Sequence, residues 1–333
     1  MSESSDQFQP PPPPPMPEEQ PRAPRPKKLR IAGIAFFVIG LIIVGLAIAK
    51  VLPAVYGAGG ALAFLGLVFV GLSFVPLPAT EGAERSSVQN LLGIFYEPSA
   101  VFRSLRTNPD WVAPFIFVSV LSLAYNFAFT QRLTPEKIVN YRVDKVAEMP
   151  APFTPPPDRI ETMRTEGIDE LKNPVRRAGT VISTLVAIFC LTAIVAAFYL
   201  LGTLAFGGRI NFWQSVAMLF YAAVPIITIQ KLLGLVLLYL KSPDDIHPIL
   251  GQETLVQDNL GVLFSPANHP VLFVLATAIG ILSFYGLWLK ATGLKNAGYR
   301  VSSGTAWGVA VTFWLLGTLF VTGITALFPS FIS

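Results

Sequence analysis

The chain has 333 residues, of which 53% are hydrophobic and only 13% charged, with a formal net charge of +4. Soluble domains carry about 25% charged residues, and the apolar residues here fall in long blocks rather than short periodic runs, which argues against one large soluble core. The small positive charge sits beside those blocks, where it reads as an orientation signal and a lipid contact, not as nucleic-acid binding.

Residues 1–30 are polar and proline-rich, and read as a disordered cytoplasmic tail. The uninterrupted run from Pro10 to Pro15 favours an extended polyproline conformation, a semi-rigid tether that could also dock on an aromatic groove in a protein partner. The tail ends in a basic cluster, Arg22, Arg25, Lys27, Lys28 and Arg30, followed at once by an apolar block from Ile31 to Ala49. Ala47-Ile48-Ala49 has the small residues of a signal cleavage site. The segment before the block is long, partly acidic and full of proline, so the block reads as a retained span. A second span is predicted from Ala54 to Val75, with Gly57, Gly59, Gly60, Gly66 and Gly71 permitting close helix approach. Residues 31–78 therefore read as a two-span hairpin, and Ala79 to Asn90 as a polar linker.

Next comes the stretch from Gly93 to Thr130. Pro98 suits the first turn of a helix; Val101, Phe102 and Leu105 share one face at helical spacing. Arg103 and Arg106 flank that face, where they can reach lipid phosphates. Pro109 restricts the residue before it and stops the helix, and Trp111 marks a water–lipid boundary. Val112 to Phe129 carries no charge and is long enough to span a bilayer; this part predicts an interfacial helix feeding a transmembrane one. Asn126, a polar residue inside that span, is expected to hydrogen-bond to another helix.

Residues 131–177 form a polar, partly helical loop. One short helix is predicted from Thr134-Pro135 and another from near Asp158 to before Pro174, with a proline-rich joint, Pro150 to Pro157, between them. Its alternating charges read as a solvated face. Ala178 to Phe206 is a span that exceeds the bilayer. Phe212 to Leu240 follows, with Pro225 in its middle, where the missing N–H predicts a kink. Lys231 is the one charge well inside an apolar stretch. Intramembrane charges are costly and point to function; Lys231 can face a polar cavity, bind a lipid headgroup, or snorkel to an interface. A sixth span is predicted from His269-Pro270 to Trp288-Leu289-Lys290, and a seventh from Thr305 to Phe328. With the tail inside, twelve basic residues flank the cytoplasmic ends of these spans, and the C-terminus lies on the opposite side.

Catalytic material is scarce. There is no phosphate-cradling GxxxxGK[ST] loop, no GxGxxG, no HExxH and no GxSxG. His247 and His269 lack metal-site spacing, and the single cysteine, Cys190, lies in an apolar block. No catalytic residue, metal ligand or cofactor is expected.

Three stretches carry a resemblance: FYEPSAVFRSLRTNPDWVAP (Phe95 to Pro114), GGRINFWQSVAMLFYAAVP (Gly207 to Pro225) and FYGLWLKATGLKNAGYRVSSGTAW (Phe284 to Trp307). From about residue 90 to 333 the chain resembles the Yip-domain, or Ypt/Rab-interacting, membrane proteins, and within them the prokaryotic members. The resemblance implies an all-α, polytopic bundle of five spans with a cytoplasmic N-terminal side. The hairpin and tail precede that unit. Eukaryotic relatives imply binding to small GTPases and a role in vesicle traffic. Their Asp-Leu-Tyr-Gly-Pro stretch has no counterpart here, so GTPase binding is not carried over. The expected function is a non-enzymatic scaffold or adaptor in the cell (inner) membrane, if the source is prokaryotic, contacting lipid or a partner. The alternative is a permease or channel-like protein using the Pro225–Lys231 segment.

Overall fold

Prolines set where many of the helices begin. The computed structural model describes residues 27–49, 56–74, 85–149 and 153–329. Most of the tail at 1–30, the connection at 50–55, linker residues 75–84 and joint residues 150–152 lie outside the described residues. Among the described residues the elements are α1 (Lys27–Ile48), α2 (Tyr56–Leu72), α3 (Ser87–Gly93), α4 (Pro98–Ser104), α5 (Val112–Leu133), α6 (Pro135–Ala147) and α7 (Pro157–Lys172). They continue with α8 (Pro174–Ala205), α9 (Phe212–Leu240), α10 (Gly251–Thr254), α11 (Pro270–Thr277), α12 (Ile281–Ala297) and α13 (Ser303–Leu327). There is no strand among them, only isolated bridges pairing Arg209 with Tyr299 and Asn259 with Gly280. The prolines that open α4, α6, α7, α8 and α11 stand at first-turn positions, where the absent N–H would have no partner in any case. Side chains cap others: Asn211 and Gln214 form a reciprocal capping box at the start of α9, as Ser86 and Gln89 do at α3, each satisfying two orphan amides.

Among the described residues, four helices are long and apolar enough to cross a membrane: α5, α8, α9 and α13. α8, at 32 residues, runs about 48 Å, well beyond a hydrocarbon core of roughly 30 Å. In α1 and α2, which have 22 and 17 residues, the apolar stretches among the described residues are Arg30–Leu46 and Leu62–Leu72.

Contacts sort the helix ends onto two faces. On the first, the Trp111 face, Arg106 Nε donates to the Asn296 carbonyl at 2.6 Å. Gln214 Nε2 there donates to the Arg106 carbonyl at 3.1 Å, and the turn after α8 pairs Arg209 with Tyr299. On the second, the His247 face, Lys137 pairs with Asp244 at 2.9 Å and Tyr141 meets His247 at 2.9 Å. α5, α8, α9, α12 and α13 accordingly alternate in direction, while α1 and α2 form an antiparallel pair packed on α8.

One expected span is different. The apolar run opening at His269-Pro270 does not continue as one helix to Lys290: α11 stops at Thr277, and α12 starts afresh at Ile281 and runs to Ala297. The break is imposed from upstream. Asp258 Oδ2 accepts from the Leu282 N–H at 2.7 Å, and the Asp258 carbonyl accepts from the Ile281 N–H at 3.1 Å. At Gly280 an added Cβ would lie 2.8 Å from the Asn259 Cβ, so only glycine permits that approach. α12 has 17 residues, about 25 Å of helix, and α11 packs instead beside the 3-10 turn Leu260–Leu263 and against α13.

The main core lies near the Trp111 face. Ile94, Val101, Phe102 and Leu105 are wholly buried; α4 is anchored on α12, and α3 on α4 and α5. Trp111 is only half-buried and stacks on Trp213 with ring centroids 5.8 Å apart, beside Phe189 at 4.8 Å. It acts as much as a packing ring as a boundary marker.

Candidate functional site

Lys231 lies roughly 28 Å along α9 and roughly 14 Å before its end, at about 1.5 Å per residue. Six residues earlier Pro225 is buried inside a helix that runs on through it from Phe212 to Leu240. Proline cannot donate to the carbonyl one turn back; nearby, Thr228 Oγ1 donates to the Val224 carbonyl at 2.7 Å. Pro225 thus belongs to the packed wall, and the chemistry lies a turn and a half further on.

There Lys231 Nζ sits 4.6 Å from the centroid of the Tyr125 ring and donates to the Gln252 carbonyl at 3.3 Å. A ring face and a carbonyl both offer negative potential to an ammonium. Asn126, on the next position of α5, directs its Nδ2 to Gln252 Oε1 at 3.4 Å. Lys231 and Asn126, both singled out in the sequence, therefore meet at one residue of the short helix α10 that nothing in the sequence singles out. Gly234 completes the seat: an added Cβ there would lie 3.0 Å from the Tyr125 ring.

Two cavities adjoin at this point. The smaller, about 290 Å³, lies among Tyr125, Gln230, Lys231, Gln252 and Leu255. The larger, about 980 Å³, opens between α5, α8 and the α6–α7 pair; Asn126, Arg142, Glu166, Glu170, Arg177 and Lys231 line it. Tyr125, Lys231 and Gln252 border both. α6 and α7 hold to each other through Arg164, which reaches Asn140 and Asp144 at 2.8 Å each, and through Val139 against Gly167. Their charges, which read as a solvated face in sequence, roof a cavity.

The segment that supplies Gln252 is pinned by His247. Its Nδ1 accepts from the Ile249 and Leu250 amides at 3.2 and 3.0 Å, so the proton resides on Nε2 and is shared with Tyr141. Burial, and then the nearby Lys145 charge, push the His247 pKa below its ordinary value. A depressed histidine pKa means the unfolded chain takes the proton first. The stabilisation is complete above about 6.5 and is lost as pH falls through the folded-state value. Melting temperature in detergent is expected to fall between pH 7.5 and 5.5, and His247→Asn should flatten that slope; an unchanged slope in the variant would assign it to other groups.

Arg103 and Arg106 lie at the opposite face and take different roles. Arg103 is exposed, with its Nε turned to the Ser99 carbonyl at 3.3 Å. Arg106, expected as a second lipid contact, instead has its guanidinium on the last turn of α12, at the Asn296 and Lys295 carbonyls. Unpaired carbonyls at a helix C-terminus attract a cation, and that pull was not visible in local spacing. Arg85 and Glu97, 2.5 Å apart, close the α3–α4 corner, and the hydrogen bond from Arg85 holds the Glu97 carboxyl below the usual range. No three His, Cys, Asp or Glu side chains are grouped to hold a metal among the described residues.

Long apolar helices around a partly polar interior define a multi-pass, all-α integral membrane protein, with the lipid bilayer as its solvent. Residues 92–324 match the family model of the Yip1 domain, and the chain belongs to that family. The match begins within α3, so α1 and α2 precede it. No curated protein and no solved structure matches the chain.

Proposed function

We propose that this Yip1-domain protein is a non-enzymatic membrane scaffold or adaptor that recruits a partner at its Trp111 face, with residues 1–30 and that face in the cytoplasm. One observation carries the reading. The α3–α4 plate is pinned from beneath by wholly buried side chains, yet presents Val88, Leu92, Phe95 and Tyr96 outward, with Arg103 exposed beside them. Exposed apolar patches on a rigid base mark protein or membrane contacts. The basic residues Arg103, Arg209, Lys295 and Arg300 flank helix ends on the same face, as expected of a cytoplasmic side, although the 131–177 loop on the other face carries nine basic residues; with the Trp111 face inside, the C-terminus is on the other side, and in a prokaryote the membrane is the inner one. A photo-crosslinking residue at Tyr96 is expected to yield protein adducts in cells, whereas one at lipid-exposed Leu319 yields lipid adducts alone. Lipid adducts at both positions would overturn the adaptor reading.

A permease using the Pro225–Lys231 segment is the second reading, and the cavity at Lys231 favours it. Against it, α9 is closely packed from Ser215 to Ala222, which closes that cavity toward the Trp111 face. Solute flux into liposomes that Lys231→Ala abolishes would restore this reading.

A further inference from the structure

The cations of α6, α7 and the start of α8 divide in an informative way. Lys137, Lys145, Arg159, Arg164, Lys172 and Arg176 each pair with a carboxylate. Arg142 and Arg177 have no ion-pair partner among the described residues, and both line the larger cavity. Arg177 lies over the Phe127 ring at 4.3 Å, which leaves the edges of its guanidinium available. Lys231 stands at the deep end of the same cavity. Beside it the Tyr125 hydroxyl is buried without a hydrogen-bond partner, on a residue only 4% exposed. Two arginines without an ion-pair partner among the described residues and a spare hydroxyl donor thus border one space, and the two carboxylates there, Glu166 and Glu170, are engaged elsewhere. Glu170 already accepts a hydrogen bond from Thr180, and Glu166 lies near Arg159.

We propose that this cavity binds the phosphate headgroup of an anionic phospholipid drawn from the leaflet on the His247 face. Guanidinium groups match phosphate oxygens in paired hydrogen bonds. Two guanidinium groups without a carboxylate partner suit a headgroup carrying a net negative charge. The walls suit the rest of the molecule: Leu123, Phe127, Val181 and Ile188 line the same space. Phe127 and Ile182 of the two flanking helices are exposed on the outside, and α5 and α8 meet only loosely. Acyl chains can therefore leave sideways between α5 and α8 into the bilayer. A volume of about 980 Å³ lies at the upper end of ligand pockets, roughly 300–1,000 Å³, and the closed core beneath makes it a seat rather than a passage. The proposal stands on the membrane fold and not on the adaptor reading, whose face is at the other end of the bundle.

Native mass spectrometry of the full chain in detergent, titrated with phosphatidylglycerol, phosphatidylcholine or diacylglycerol, tests it. Phosphatidylglycerol is expected to remain bound where the other two are lost. Arg142→Gln with Arg177→Gln should weaken its retention at least about tenfold, the loss of two charge-assisted contacts. Arg300→Gln on the far face should leave it unchanged. Arg142 is exposed, so Arg142→Gln alone keeps the fold and must still show a measurable loss. Equal retention of phosphatidylcholine, or equal retention by parent and arginine variants, overturns the proposal. So does displacement by glycerol phosphate at the same concentration, which would make the ligand a soluble phosphate.

Discussion

Phe69→Ala is expected to lower the melting temperature of the detergent-solubilised protein by roughly 10 °C, from a loss of about 3–5 kcal/mol. Phe69 is wholly buried near the end of α2, and its ring is the joint between the hairpin and the rest of the bundle. It meets Phe212 at 4.7 Å and Trp213 at 5.3 Å from α9, and Phe36 at 5.5 Å from α1. Through Phe36 the contact reaches Phe189 on α8 at 6.4 Å. Lipid is as apolar as these rings, so solvent exclusion contributes little between membrane helices and close packing contributes most. Truncation forfeits those contacts directly. Phe64, on the same helix but 54% exposed, is the control: Phe64→Ala should leave the transition nearly where it was. Intrinsic fluorescence is the readout, since Trp213 touches the deleted ring. Equal shifts for the two variants would mean that the hairpin is not seated through Phe69.

Helix boundaries were legible wherever the signal is local. Phe212–Leu240 follows from its apolar run, and the start of α6 from Thr134 followed by Pro135, because a cap and a first-turn proline act within one turn. The break between α11 and α12 was hidden because composition stays apolar across it. What interrupts the helix is a carboxylate and a backbone carbonyl from Asp258, some twenty residues away, and no window of local hydropathy contains them. Arg106 misled for the same reason: its spacing places it beside Arg103, but the carbonyls it caps belong to Lys295 and Asn296.

The candidate site was half visible. Lys231 and Asn126 could be named because polar groups are costly in hydrocarbon wherever they occur. Gln252, which joins them, is one polar residue among many in a polar stretch. Arg142 and Arg177 belong to a charge pattern that reads as solvated. Their distinction is that their neighbours pair with carboxylates and they do not, which is a property of the folded arrangement of α6, α7 and α8. His247 likewise carries no motif; its tautomer is set by two amides in its own turn.

Gly66→Leu is expected to be the most damaging single substitution in the hairpin. The antiparallel α1–α2 pair is built on glycines meeting in register. Gly33 approaches Gly66, and one heptad along Gly40 approaches Gly59. A Cβ on Gly66 would lie 2.4 Å from the Phe37 backbone nitrogen and 2.6 Å from the Gly33 carbonyl oxygen; one on Gly40 would lie 2.4 Å from the Ala63 nitrogen. These are backbone atoms, so no rotamer change relieves the clash and the helices must separate. Overpacking by smaller groups costs about 1–3 kcal/mol, and a leucine here unmakes the whole seam. Gly71 and Gly60 have no atom within 4 Å of an added Cβ, so the glycines of α2 do not act alike; the surroundings of Gly57 lie outside the described residues. Gly71→Leu, facing open space, is the matched control. Size-exclusion profiles after graded heating should show Gly66→Leu losing monodispersity well below the parent and Gly71→Leu following the parent; coincident profiles would refute the glycine seam. Gly66 is also within one turn of Phe69, so separating the helices shifts the ring that seats α2 on α9. The two substitutions should therefore fall short of additivity when combined, as neighbouring sites do, because the first has already loosened what the second removes.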